Sequence, residues 1–108
     1  MKPETLQALR DSIRKWEKIV AGTGVDYGAA NCSLCHRFDG GGCNLRDEVC
    51  PVAIASGESE CRNTPYDDWQ YATNGDWPSR RAHDDESVMC AVLELEFLKE
   101  LLPPGEKP

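Results

Sequence analysis

The chain has 108 residues, a formal net charge of −7, 29% charged residues and six cysteines. That length accommodates one small domain. The acidic balance argues against a basic face that grips nucleic-acid phosphates, and no apolar run approaches the roughly 18 residues of a membrane span.

The N-terminus reads MKPETLQALRDSIRKWEKIV and is charged throughout. It has no apolar core and no small-residue cleavage site of a secretory signal. The expectation is a cytoplasmic protein, where thiols stay reduced and clustered cysteines more often bind metal than pair. Leu6, Leu9, Ile13, Trp16 and Val20 recur every three or four residues. They predict an amphipathic helix over about 3–21, with Pro3 in its first turn and Gly22 and Gly24 at its end.

Residues 22–78 form a loop-rich insert by the same reading. Large apolar side chains are sparse there. Full burial of one contributes about 1.5–3 kcal/mol, whereas ordering each residue costs about 1.5 kcal/mol. The insert therefore needs a covalent or metal staple. One short helix is expected within it. In TPYDDW, Thr64 can cap, Pro65 takes the first helical position, and Asp67 stands where a capping box places its acid. Asn74-Gly75 would end it.

A second long helix is predicted over about 79–102, starting at Ser79 or Asp84. Val88, Val92, Leu95, Leu98 and Leu102 form its stripe, and PPG at 103–105 stops it. The expected fold is a single mainly α domain. Two long amphipathic helices pack antiparallel and flank the insert, with little or no sheet and a short C-terminal tail.

Cysteines 32 to 61 follow the spacing C-x2-C-x7-C-x6-C-x10-C. Five thiols in such a short stretch point to a shared ligand. A two-residue gap lets Cys32 and Cys35 reach one ion, and zinc takes four ligands in a tetrahedron. Cys50, followed by Pro51, and Cys61, just ahead of the Thr64 cap, are the expected second pair. Cys43 and His36 are the alternative ligands. An iron–sulfur cluster also uses four thiolates and stays open as an alternative, as do disulfides. The CSLCH pentapeptide also fits a c-type haem attachment, but that chemistry needs export. A thioredoxin-like site would need strands that the pattern lacks. Cys90, inside the last helix, reads as a small buried hydrophobe, and His83 as a surface residue.

Four segments together resemble a group of small uncharacterised proteins of tailed phages and prophages. They are the KWE of Lys15–Glu17, GTGVDYGAANCSLC from Gly22 to Cys35, CPV at Cys50–Val52, and CRNTPYDDW from Cys61 to Trp69. The resemblance spans roughly residues 7–102. It implies phage origin and metal binding by Cys32, Cys35, Cys50 and Cys61, without implying a reaction.

Three function classes are consistent with these features. The first is a zinc-stabilised module that binds a host or phage protein, one form being an inhibitor of a defence system such as CRISPR. The second is a zinc-containing nucleic-acid-associated or regulatory protein, whose local support is Arg10, Arg14, Lys15 and Lys18. The third is an enzyme, for which the chain shows no deaminase signature, phosphate-binding glycine motif or Ser-His-Asp set. In YDDWQYATNGDW, Tyr66 and Trp69 share one side of a short helix and are expected in the core. Asp67, Asp68, Asp76 and Trp77 are the expected partner-binding residues.

Overall fold

The computed structural model describes residues 1–38, 49–57, 61, 63–76 and 79–106. Among these the chain is mainly helical and forms no strand. Five α-helices follow one another: α1 Pro3–Val20, α2 Ser33–Arg37, α3 Pro51–Ser56, α4 Pro65–Ala72 and α5 Asp85–Glu100. Short 3-10 turns occupy Gly28–Asn31, Asn74–Asp76 and Pro104–Glu106. No described helix is long and apolar enough to cross a membrane.

α1 starts as predicted, with Pro3 in its first turn. It stops because Gly22 adopts φ 84, a left-handed conformation that costs glycine little. The chain then folds back so tightly that a Cβ on Gly24 would lie 2.8 Å from the Ile19 amide nitrogen. Leu9, Ile13 and Trp16 of the predicted stripe are buried, and Leu6 and Val20 pack against the core from its margin. Thr5, Ala8, Ser12 and Ile19 are buried as well. The burial is wide because α1 packs against both α5 and α2.

α5 begins at Asp85, not Ser79. Asp84 accepts the Ser87 amide, and the Ser87 hydroxyl accepts the Asp84 amide, a reciprocal cap that fixes the start. Leu95, Leu98 and Leu102 of the predicted stripe are buried, and only its first half departs from the inward face. Ser87, Cys90, Ala91, Glu94, Leu95 and Leu98 are buried, while Val88 and Val92 sit at the margin. α5 carries apolar residues nearly all round, so periodicity alone places its buried face poorly.

α4 matches expectation. Thr64 caps it by accepting the Tyr66 amide, and Pro65 opens it. It ends at Ala72, just before Asn74, and packs against α5. Asp67 does not complete a capping box with Thr64. It accepts the Asn63 amide, one residue further back, at 2.8 Å. α2 and α3 add helix inside the insert, where the sequence pattern gave only loop.

The core joins α1, α2, α4 and α5 around two tryptophans. Trp69 packs edge-on against Trp16 with ring centroids 5.1 Å apart, and Tyr66 meets the same indole at 6.0 Å. Such edge-to-face pairs contribute about 0.5–1.5 kcal/mol beyond area burial.

Candidate metal centre

Cys32 caps α2. It stands in extended backbone at the helix start, and its Sγ accepts the Cys35 amide at 3.3 Å. A C-x-x-C turn presents a sulfur to backbone N–H groups in this way, and those groups stabilise a thiolate. A hydrogen bond from the Cys35 thiol is the largest influence on Cys32. Burial opposes it, and the Cys35 amide and the Lys15 charge assist it. The Cys32 thiol is lowered from 9.0 to about 6. The shift favours the thiolate, the form that binds metal.

Cys50 occupies the N-cap position of α3 without a side-chain capping hydrogen bond and is buried, and Pro51 opens that helix behind it. Cys61 stands at φ 62 and Asn63 at φ 60, two non-glycine residues in the left-handed region. Such a residue costs on the order of 1 kcal/mol and persists where surrounding contacts hold it. Here the Thr64 hydroxyl donates to the Cys61 carbonyl at 2.6 Å, and Asp67 holds the Asn63 amide. The turn thereby fixes Cys61 at the mouth of α4. Cys32, Cys50 and Cys61 all pack on the same hydrophobic core.

The five described cysteines are thiols, not disulfides. Among the described residues, no three His, Cys, Asp or Glu side chains gather closely enough to hold a metal ion. The structure brings together one predicted pair, Cys32 and Cys35, and places Cys50 at the start of α3 and Cys61 three residues ahead of the Thr64 cap of α4. Cys43 lies outside the described residues. His36 is exposed, and its Nε2 lies 3.0 Å from the Ala30 carbonyl. Four thiols are the kind of donor set that zinc or another thiophilic ion takes.

Cys90 is buried as expected. Burial and the nearby Asp68, Glu86 and Asp84 carboxylates push its thiol up, which keeps it inert. Of the predicted partner face, Asp67 and Asp68 are exposed. Asp76 lies 3.3 Å from His83 Nε2. Trp77 lies outside the described residues.

Two buried acids escaped the sequence reading. Asp26 has no exposed surface. Its Oδ1 pairs with Lys15 at 2.8 Å and accepts the Gly28 amide, while its Oδ2 accepts the Tyr66 hydroxyl and the Trp69 indole N–H. Its backbone exchanges two hydrogen bonds with Arg80, the residue that leads toward α5. Burial alone would raise its pKa. The Lys15 charge and the hydrogen bonds outweigh burial and hold it below its ordinary value. The readable signal was the need of buried Trp and Tyr tips for an acceptor. Glu94, 4% exposed on α5, has a carboxylate oxygen with no hydrogen-bond partner. Burial, then the Cys32 charge, raises its pKa from 4.5 to about 8.

With that geometry in hand, comparison of the chain with protein-family models, curated proteins and solved structures gives no match. The KWE, GTGVD and TPY-x-x-W segments nevertheless acquire a physical meaning. Lys15, Trp16, Asp26, Gly28, Tyr66 and Trp69 converge on one buried knot.

Proposed function

We propose that this protein is a small zinc-binding interaction module of the tailed-phage type. It acts in the bacterial cytoplasm on a host or phage protein, and a host defence system such as CRISPR is one such target. In this reading α1 and α5 run antiparallel and the intervening segment closes around zinc. Cys32, Cys35, Cys50 and Cys61 are the ligands, and Cys43 can replace one of them. The observation that carries the metal reading is the Cys35 amide directed at Cys32 Sγ, the thiol that the same turn lowers from its ordinary pKa. The interaction reading rests on small size, net charge −7 and exposed Asp67 and Asp68 at the start of α4. Acids of this kind can occupy a basic site meant for nucleic acid.

The test is native mass spectrometry of the full chain, with elemental analysis of the same sample. One zinc per chain supports the reading. Iron with inorganic sulfide replaces zinc by an iron–sulfur cluster, which also takes four thiolates. A metal-free chain with intact fold overturns the metal part. Charge reversal at Asp67, Asp68 and Asp76 then tests the interaction part against a partner captured from phage-infected cells.

A further inference from the structure

The outward face of α5 is organised in a way that packing inside the molecule does not require. Met89 is 58% exposed and Leu93 46% exposed. They stand four residues apart and are therefore neighbours on one side of the helix. The same side carries Asp85 and Glu86 at its start and Glu96 and Glu100 toward its end, all exposed. Two apolar side chains are thus bracketed by an acid pair at each end. Acids near a helix C-terminus oppose the helix dipole, at a cost of about 0.3–1 kcal/mol each. Glu96 brings that cost, partly relieved by Lys99, which lies 3.9 Å from it. The exposed halves of Met89 and Leu93 add nothing to the burial that α5 already gains along Cys90, Ala91, Leu95 and Leu98.

We propose that this face of α5 is a docking surface for an amphipathic helix of a partner protein. That helix presents a short apolar seam bracketed by lysine or arginine at both ends. The proposal rests on the reading of the protein as an interaction module, and it names the surface and the partner's chemistry. Charge disfavours a symmetric pairing of this face with its own copy. An antiparallel α5 pair would place Asp85 and Glu86 against Glu96 and Glu100, and a parallel pair would place each acid against its own equivalent. Like charges meet in both arrangements. A basic helix instead meets an acid pair at each end while its seam covers Met89 and Leu93, an arrangement of the helix-in-groove kind.

The experiment uses the full chain as purified, with its metal content measured in the same sample. One probe is a synthetic helical peptide with a leucine seam bracketed by lysines. The control is the same peptide with glutamate in place of each lysine. Titration calorimetry gives affinity, sedimentation gives the oligomeric state, and methyl NMR reports Met89 and Leu93. The lysine peptide is expected to bind, to shift both methyl signals and to weaken with salt. Met89→Ser with Leu93→Ser should reduce its affinity roughly tenfold or more. The charge pair Glu86→Lys and Glu96→Lys should do so without touching the apolar centre. Equal binding of the glutamate peptide overturns the proposal, as does a dimer dissolved by Leu93→Ser. If binding depends on Asp67, Asp68 and Asp76 while the α5 variants bind as wild type, the module reading stands and this surface falls. If the α5 face binds in a chain free of metal, the surface stands and the zinc reading falls.

Discussion

Trp69 donates its indole N–H to Asp26 at 2.9 Å, and neither residue has any exposed surface. The carboxylate joins α1 through Lys15 and α4 through Tyr66 and Trp69, while its backbone holds Arg80 ahead of α5. Removing the charge therefore disturbs α1 and α4 together. Asp26→Asn is expected to destabilise by about 3–5 kcal/mol, the usual cost of breaking a buried ion pair. Trp69→Phe keeps most of the packing and loses one donor, so about 1–2 kcal/mol is expected. Urea unfolding measures both. Lys15→Met combined with Asp26→Asn should cost less than the two single changes added together.

Asp26 and Glu94 give opposite slopes of stability with pH. The folded Asp26 has a lowered pKa, so the unfolded chain holds that proton more readily. Its contribution is present above the unfolded value near 3.8 and is lost as pH falls through the folded value. Glu94 is raised from 4.5 to about 8, so the folded chain holds that proton more readily. Its contribution is full below about 4.5 and is lost as pH rises toward 8. Glu94→Gln keeps the volume and removes the charge. It should raise the melting temperature at pH 8 and change it little at pH 4.5, read by calorimetry at both pH values. A larger gain at pH 4.5 than at pH 8 would reverse the assignment.

Metal removal should act on the insert more than on the long helices, because formation of such a site is coupled to folding. Chelation is expected to lower the melting temperature and to reduce helix signal by the share of α2 and α3. Cys32→Ser, Cys35→Ser, Cys50→Ser and Cys61→Ser should each reproduce that loss. Cys90→Ser should lower stability modestly and leave metal content unchanged, because Cys90 lies on the buried face of α5, outside the predicted ligand set. Metal content that falls equally in all five variants would remove the distinction.

The parts of the fold visible in the sequence are those with long-range periodicity or strong end signals. α1 repeats its apolar residues over 18 positions and ends on glycine, and α4 announces itself through Thr64-Pro65. α2 and α3 span five and six residues, too few to show a period or to be stable alone. They exist because tertiary contacts hold Leu34, Phe38 and Val52 in the core. α5 was visible as a helix, but its apolar residues on the solvent side pulled the predicted stripe toward Val88 and Val92. The C-x-x-C pair was legible from spacing, since a two-residue gap directs an amide at the first sulfur whatever the fold. Asp26 was not, because an acid flanked by glycines reads as loop until its aromatic donors are placed.

The two aspartates at the start of α4 separate a structural role from a surface one. Asp67 accepts the Asn63 amide and so supports the left-handed turn that carries Cys61. Asp68 is exposed one residue later. Both acids favour the helix dipole, so each change carries about 0.3–1 kcal/mol from that source. Asp67→Lys should cost an additional 0.5–1.5 kcal/mol or so from the lost hydrogen bond and lower zinc affinity through the Cys61 turn. Asp68→Lys should leave zinc affinity unchanged and weaken capture of a basic partner. Thermal melts, zinc competition with a chromophoric chelator and partner binding in the same buffer read the three effects. Equal losses of zinc affinity in the two variants would mean that the turn does not hold Cys61 for the metal, and Cys43 would become the next ligand to test.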